Sequence, residues 1–356
     1  MIEKEKGIVY IRAAAQISIQ EPLSDEWFGN PLRYDRVYVR AQEPDYKLFL
    51  APGKLRRMGK VLRRAVVSAQ AALRQAGIAM PGAIVSATGL GCIENTEIFL
   101  KALLSDGREF LHPACFMQST HNTIGSLIAI ELNCHGYNTT YAHKGASFES
   151  ALLDAYLQCR SGSIPSALVG GYDEMTPDYH LMLSRIGYWR ADGEGVLLRR
   201  GEEAFAGETS VSFVLTSEKN DRALCRLAAV EMLYRPSMDG LQDALERMLQ
   251  QNGYTLDDVD AVLTGVSGNR ENDGVYREII RSLFPGKPTA IYKHVFGESY
   301  TASGLGIYAA AVCLHRGSIP QHLLLHPSGG AKNVRRILCY HQYENKNHSF
   351  VLLTSC

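Results

Sequence analysis

Two hydrophobic patterns alternate along the chain, one typical of amphipathic helices and one of buried strands. The segment "GKLRRMGKVLRRAVVSAQAALRQAGI" has apolar residues three and four positions apart, which predicts a helix that ends at Gly77. "HNTIGSLIAIELNCHG" predicts an apolar helix that ends at Gly136. Continuous apolar runs in "GAIVSATGLG", "SALVGGYDE" and "TSVSFVLTS" predict strands buried on both faces. This alternation predicts a layered α/β fold.

The same order of elements begins again after residue 222. "LQDALERMLQQNGYTLDDVDAVLTGVSGNREND" predicts a helix, a strand from Asp260 to Thr264 and a glycine turn, as does "ALRQAGIAMPGAIVSATGLGCIENT" in the first half. "ASGLGIYAAAVCLHRG" is similar to "TIGSLIAIELNCHG". The pattern therefore predicts an internal duplication, with halves at residues 1–222 and 223–356 packed as one body.

The segment "TTYAHKGASFESALLDA" predicts a strand, a tight turn and a helix, an arrangement that often presents a nucleophile. Gly145 lies at the apex of the predicted turn, and the segment contains no Cys. The segment therefore indicates either an unusual nucleophile or a lost reaction.

Composition excludes several classes of function. Lys and Arg total 37, as do Asp and Glu, so no net charge favours a nucleic-acid or membrane partner. No apolar run approaches the ~20 residues of a membrane span. The start, "MIEKEKGIVYIRAAAQ", does not resemble a secretion signal. The eight Cys residues form no CxxC pair, which indicates reduced thiols in a cytoplasmic protein and no metal site. Neither glycine turn has nucleotide-binding spacing, so no cofactor is expected.

Several segments, in order, resemble the β-ketoacyl synthases of the thiolase-like superfamily. The resemblance covers about Met58 to Ser355 and rests on "SATGLG", "PACFMQSTHNTIGSLIAIELNCHG", "SALVGGYDE", "GETSVSFVLTSE", "VDAVLTGVSGNREND" and "IYKHVFGESYTASGLG". It implies a thiolase-like αβαβα layered fold made of two duplicated halves. It also implies decarboxylative condensation, in which a Cys carries the acyl chain and two His residues stabilise the enolate.

The catalytic residues implied by this resemblance are absent. The Cys position corresponds to Gly145, and a register shift of one residue gives Lys144 or Ala146. The two His positions correspond to Gly265 and Glu298, while the neighbouring Lys293 is retained. The glycines of the family's gating loop are missing from "YHQYENKNHS". No catalytic residue is therefore expected at these positions.

Within the family, the chain resembles the chain-length factors, or ketosynthase β subunits, which lack the Cys and pair with an active ketosynthase. Most of them have Gln at the position of Gly145. This resemblance implies a catalytically silent subunit in type II polyketide, aryl-polyene or fatty-acid-like biosynthesis. Its partners would be an active ketosynthase α subunit, or a second copy of itself, and an acyl carrier protein. It places Leu90, Cys115 and Phe116 along the acyl tunnel or, alternatively, in an ordinary interface core.

Two other functions remain open. Ser147 or Cys115 could be the nucleophile of an acyltransferase or thioesterase on the same fold, and a histidine such as His294 could act with Ser147. A Ser after such a turn more often packs and caps the helix, which favours a structural role for Ser147. The chain could instead be a homodimeric scaffold that binds acyl carrier protein.

Overall fold

A computed structural model describes residues 7–105, 111, 113–189, 205–218, 223–326 and 331–356. The strands in these ranges are β1 (Val9–Ile17), β2 (Ala83–Ala87), β3 (Tyr137–Tyr141), β4 (Ser166–Asp173), β5 (Thr209–Thr216), β6 (Cys225–Tyr234), β7 (Ala261–Thr264), β8 (Thr289–Ile291), β9 (Ser318–Ile319), β10 (Ala331–Lys332), β11 (Arg336–Tyr343) and β12 (Asn347–Thr354). The helices are α1 (Pro52–Leu55), α2 (Lys60–Ala76), α3 (Ile93–Leu104), α4 (Pro113–Gln118), α5 (Thr123–Leu132), α6 (Ser147–Arg160), α7 (Pro177–Arg185), α8 (Met238–Gln251), α9 (Arg270–Leu283), α10 (Lys293–Phe296) and α11 (Ala302–Arg316).

Within the described ranges, ten strands form one mixed sheet in the order β3-β2-β4-β5-β1-β6-β12-β11-β7-β8. The first five strands and the last five repeat one another outward from the centre. β2 and β4 pair in parallel, as do β7 and β11, whereas β5 and β12 are antiparallel to both of their neighbours. The halves join where β1 and β6 pair from Val9↔Leu227 to Ile11↔Cys225. The duplication predicted from the repeated sequence pattern is thus present in the strand order.

The helices and the two half-sheets form five layers. α6 and α11 lie between the half-sheets, in a core that includes Phe213 of β5 and Val351 of β12. α2 and α5 cover the opposite face of the first half, where Val214 of β5 is buried. α8 and α9 cover the opposite face of the second half, against Leu352 of β12. Because adjacent residues of one strand enter different cores, these strands need the continuous apolar runs seen in the sequence.

Two predicted helices have different bounds in the structure. The predicted long helix is divided into α1 and α2, because Gly59 has extended backbone and precedes the first residue of α2. Gly77 does end α2, with a φ of 66°. The apolar helix α5 ends at Asn133, which takes the left-handed conformation, rather than at the predicted Gly136. Asn tolerates that conformation better than most residues, and the sequence pattern alone favoured the glycine.

The predicted strands in "GAIVSATGLG", "SALVGGYDE" and "TSVSFVLTS" are confirmed as β2, β4 and β5. The strand predicted from Asp260 to Thr264 is confirmed as β7, which begins one residue later. The predicted boundary at residue 222 lies outside the described residues. Across the described ranges, no helix has the length and apolar character needed to cross a bilayer.

Candidate functional site

The predicted strand, turn and helix are present at the edge of the first half-sheet. β3 ends at Tyr141, residues Lys144–Ala146 form one turn of 3₁₀ helix, and α6 begins at Ser147. Lys144 has a φ of 51°, which is uncommon for a residue with a side chain, and its side chain is exposed. Gly145 and Ala146 are buried. The turn therefore has a strained residue at Lys144 and directs its next two residues into the protein.

The space in front of Gly145 is occupied by Tyr343 of β11. A β-carbon built on Gly145 would lie 2.2 Å from Cδ2 and 3.0 Å from Cβ of Tyr343. The carbonyl oxygen of Gly145 lies 3.1 Å from Nε2 of His341, also on β11. No side chain larger than hydrogen fits at residue 145 while Tyr343 keeps this position.

His341 links the turn to the position predicted to replace the first catalytic histidine. Its Nδ1 lies 3.1 Å from the hydroxyl of Tyr276, so the neutral ring donates from Nε2 to Gly145 and accepts at Nδ1. Burial and the nearby Lys293 lower the pKa of His341 to about 3. A β-carbon on Gly265 would lie 2.3 Å from the Tyr276 hydroxyl and 3.2 Å from Nδ1 of His341. Tyr276 and His341 therefore fill the space in front of Gly265.

Glu298, at the position predicted to replace the second histidine, forms an ion pair with Lys293. The Nζ–Oε2 distance is 2.5 Å, and both residues are buried. Burial raises the pKa of Glu298, and the ammonium of Lys293 partly opposes that shift. The two opposite charges stabilise each other. Removal of either one would leave the other unpaired in the interior.

These groups enclose a small polar cavity, which we call the elbow cavity. Its volume is about 20 Å³, close to the space that one water molecule needs. Its wall contains the turn, the ion pair and a group of aromatic side chains. The lining residues are Gly145, Tyr188, Asn272, Tyr276, Lys293, Glu298, Ser299, Tyr300, His341, Gln342 and Tyr343.

Glu149 lies in the first turn of α6, behind Gly145. It is 3% exposed, and its Oε2 forms no hydrogen bond within the described structure. Burial raises the pKa of this carboxyl to about 7. Ser303 and the ammonium of Lys293 oppose this shift only in part, so the carboxyl changes its protonation state near neutral pH. In the described part of the chain, no three His, Cys, Asp or Glu side chains are grouped so that they could hold a metal ion.

Ser147, the alternative nucleophile, is fully buried at the start of α6. Its Oγ accepts from the backbone N–H of His143 at 2.7 Å. It also lies 2.7 Å from the carbonyl oxygen of Lys144 and 3.0 Å from that of Thr88, to which its hydroxyl can donate. His294, the histidine suggested as its base, instead directs Nε2 to the carbonyl oxygen of His322 at 2.8 Å. These bonds are those of a residue that closes a turn.

The three predicted tunnel or interface residues lie at different depths. Leu90 is partly buried in the glycine turn after β2 and lines a cavity of about 10 Å³ beside Tyr188 and Tyr300. Cys115 is partly buried on α4. Phe116 is 58% exposed on the same helix, and its ring centroid lies 5.2 Å from that of Phe99. Leu90 therefore lines this small cavity, whereas Phe116 packs against Phe99 near the surface.

Sequence reasoning missed the side chains that fill the site, above all His341 and Tyr343. A signal for them was present, because alternation along β11 places Cys339, His341 and Tyr343 on one face of the sheet. Cys339 belongs to the core that contains α6, so the same face is directed toward the turn at Gly145. In the sequence, this segment is distinguished only by the missing glycines, and its contact with the turn at Gly145 is not visible there.

Comparisons with known proteins agree with this architecture. The profile of the family described as "Beta-ketoacyl synthase, N-terminal domain" matches residues 30–219, more than half of the chain. Nodulation protein E of Rhizobium sp. (strain N33) is 23% identical over 291 residues, which are 72% of this chain and 69% of that protein.

Solved structures resemble almost the whole chain. The ishigamide ketosynthase/chain length factor has a TM-score of 0.84 at 17% identity, covering 99% of this chain and 100% of the other. A β-ketoacyl synthase from Burkholderia phymatum STM815 has a TM-score of 0.82 at 13% identity, covering 98% and 100%. The complex of AntDE with AntF, a type II polyketide synthase acyl-carrier protein with its ketosynthase, has a TM-score of 0.79 at 13% identity, covering 99% and 100%. With a thiolase-like fold and a family profile matched over more than half of its length, this chain belongs to the β-ketoacyl synthase family.

Proposed function

We propose that this protein is a catalytically silent ketosynthase-like subunit, a chain-length factor. It pairs with an active β-ketoacyl-acyl-carrier-protein synthase and shapes the acyl tunnel of that partner. The pathway would be of the type II polyketide, aryl-polyene or fatty-acid-like class, in which an acyl carrier protein delivers the chain. One structural relative is itself described as a ketosynthase/chain length factor, which supports this choice within the family.

The observation that carries the pairing is the exposed edge of the large sheet at β3. Among the described strands, β3 is the end strand of the sheet and has β2 as its one partner. Beside it, Ile130 of α5 is 72% exposed, Leu157 of α6 is 51% exposed and Tyr137 of β3 is 43% exposed. An edge strand with one unpaired side and apolar side chains around it can extend its sheet into another subunit, and burial of these side chains would stabilise the complex.

The residues of the elbow cavity support the proposed silence. Gly145 has no side chain, Gly265 faces a tyrosine hydroxyl, and Glu298 is held by Lys293. The loss of a nucleophile alone can lower the rate of an acyl-transfer enzyme about 10⁶-fold. With His341 hydrogen-bonded to a backbone carbonyl oxygen, no described imidazole in the cavity is positioned to activate a nucleophile.

A tunnel role is best supported for Phe116 on α4. Phe116 and its neighbour Met117 are 58% and 70% exposed, and they lie near the exposed apolar residues of α3. In a complex, large side chains of this kind would enter the partner or meet the growing acyl chain. Because overlap with a packed apolar wall is unfavourable, they would limit the length of the product.

Co-expression with a ketosynthase that retains Cys-His-His tests the pairing. The expected result is a stable complex, detected by co-purification through a tag on one subunit and by size-exclusion chromatography with light scattering. Two proteins that elute separately would contradict the proposal. A homodimer of this chain that does not exchange with the ketosynthase would support the scaffold function instead.

Incubation with acyl-acyl-carrier-protein thioesters, followed by intact-mass analysis, tests the silence. An acyl adduct is expected on the ketosynthase alone. An adduct on this chain that is lost in Ser147→Ala or Cys115→Ala would establish the acyltransferase or thioesterase alternative.

A further inference from the structure

We infer that Tyr343 and Tyr300 form a plug that closes the elbow cavity to acyl thioesters, and that Gly145 and Gly89 are required by this plug. The inference deepens the proposed function and rests on it in one respect, because it gives a steric basis for the silence. In this interpretation, the site lacks room for an acyl thioester as well as the reactive groups.

The first contact of the plug is between Tyr343 and the turn before α6. The β-carbon that any other residue would add at Gly145 lies 2.2 Å from Cδ2, 2.6 Å from Cγ and 3.0 Å from Cβ of Tyr343. Rotation about χ1 cannot move Cβ, so a change of rotamer relieves only part of this overlap. Movement of β11 would be needed, and β11 is held between β12 and β7 in the sheet.

The second contact is between Tyr300 and the glycine turn after β2. A β-carbon on Gly89 would lie 2.2 Å from Cβ of Tyr300 and 2.4 Å from its Cγ. The overlap involves the base of the tyrosine side chain, so no rotamer removes it. The backbone N–H of Gly89 also donates to Oδ1 of the buried Asp173 at 2.8 Å, which holds the turn in place.

The two tyrosines also support each other. Their ring centroids are 6.1 Å apart with the planes at 74°, a favourable edge-to-face arrangement. The hydroxyl of Tyr300 lies 3.0 Å from that of Tyr179 on α7. Both rings are partly exposed and both line the elbow cavity, so they separate its interior from solvent. A cavity of about 20 Å³ cannot admit the thioester end of an acyl chain.

A double-mutant cycle in the full-length chain tests the first contact. Gly145→Ala is expected to lower the melting temperature by several degrees, and the same change in a Tyr343→Gly background, which removes every contacting atom of the tyrosine side chain, is expected to lower it far less. Gly274→Ala in α9 is the control, since nothing lies within 4 Å of its added β-carbon. Gly89→Ala with Tyr300→Gly forms a second, independent cycle, because only glycine removes the β-carbon of Tyr300 that lies 2.2 Å away. Equal losses with and without the tyrosine would overturn the inference.

Access to the cavity is tested with a thiol introduced by Ser299→Cys, a nearly isosteric change at another residue that lines the elbow cavity, and alkylated with iodoacetamide. The thiolate forms a C–S bond as iodide leaves, and peptide mass spectrometry reads the label at residue 299 separately from the eight native Cys residues. Labelling is expected to be at least tenfold faster in Ser299→Cys/Tyr343→Ala than in Ser299→Cys alone. Equal rates in the two variants would show that Tyr343 does not close the cavity.

These measurements distinguish failure of the plug from failure of the proposed function. If the plug is absent, the cycles are additive and labelling is independent of Tyr343, whatever happens to pairing with a ketosynthase. If the chain is not a partner subunit, co-purification fails while the cycles and the labelling rates keep their expected values.

Discussion

At the scale of single residues, the interior beside the turn contains charges that an apolar core would not tolerate alone. Lys293 and Glu298 form one buried pair, and Glu149 lies nearby without a hydrogen bond to Oε2. Buried charges of this kind are sensitive to single substitutions, because an unpaired charge in a low-dielectric environment has no solvent to stabilise it.

Lys293→Met is expected to lower the free energy of unfolding by roughly 3–5 kcal/mol, because it leaves Glu298 buried without its cation. Urea denaturation followed by circular dichroism measures this change. The control is Lys293→Met/Glu298→Gln, which removes both charges and is expected to recover much of the loss. A double variant as unstable as the single variant would show that the charge of Glu298 is not the cause.

Glu149→Gln is expected to change the pH dependence of stability. The pKa of Glu149 is raised to about 7, compared with 4.5 for an ordinary glutamate. Between these values the folded protein holds a proton that the unfolded chain has released, so stability falls as pH rises from 4.5 to 7 and then levels off.

Glu149→Gln removes this fall in stability. The variant is therefore expected to be more stable than the wild type at pH 8, by at most about 3 kcal/mol. The difference should vanish at pH 4. Urea denaturation at both pH values measures it, with the exposed Glu278→Gln on α9 as the control. Burial also raises the pKa of Glu174 to about 7, so a smaller dependence of stability on pH should remain in the variant. A gain of equal size at both pH values would not fit titration of Glu149.

At the scale of elements, helix and strand positions followed from local patterns, while their ends depended on single residues. Continuous apolar runs predicted β2, β4 and β5, because strands covered on both faces need apolar residues at every position. The break between α1 and α2 was missed, since the apolar spacing continues through it and only Gly59 marks it. α4 is the element with the clearest functional prediction.

Phe116→Ala on α4 is expected to let a co-expressed ketosynthase make longer products, because it removes a large side chain from the proposed tunnel wall. Mass spectrometry of the released products measures the change. Tyr234→Ala is the control, because Tyr234 is 66% exposed at the end of β6 in the other half of the sheet. Stability should change by less than about 0.5 kcal/mol in both variants. An unchanged product length with an intact complex would assign Phe116 to ordinary interface packing, and Leu90→Ala extends the same test to the glycine turn.

At the scale of the whole molecule, the sheet ends in β3 on one side and β8 on the other. Exposed apolar side chains lie on the helices beside β3, on α5 and α6. Obligate interfaces bury about 2,000 Å² or more, so loss of the proposed contact beside β3 would dissociate the complex rather than weaken it slightly.

Ile130→Glu and Leu157→Glu together are expected to abolish co-purification with a ketosynthase, because two carboxylates would be buried in an apolar contact without partners. The melting temperature of the isolated chain should change little, as both side chains are exposed in it. The control is Tyr234→Glu, which adds a charge in the other half and should leave the complex intact. Retention of the complex by the double variant would place the interface elsewhere.

The sequence by itself determined the layered α/β class, the duplicated order of elements and the absence of a thiol in the turn, because these depend on local pattern and residue identity. Only the tertiary structure showed that β11 brings His341 and Tyr343 against Gly145, about 200 residues away in the chain. Such contacts depend on strand order and register across the two halves, which hydrophobic periodicity does not specify. For the same reason, the segment that contains Gly89 appeared in the sequence only as a glycine turn and Gly145 only as the position of a missing Cys, whereas in the structure each glycine accommodates a tyrosine.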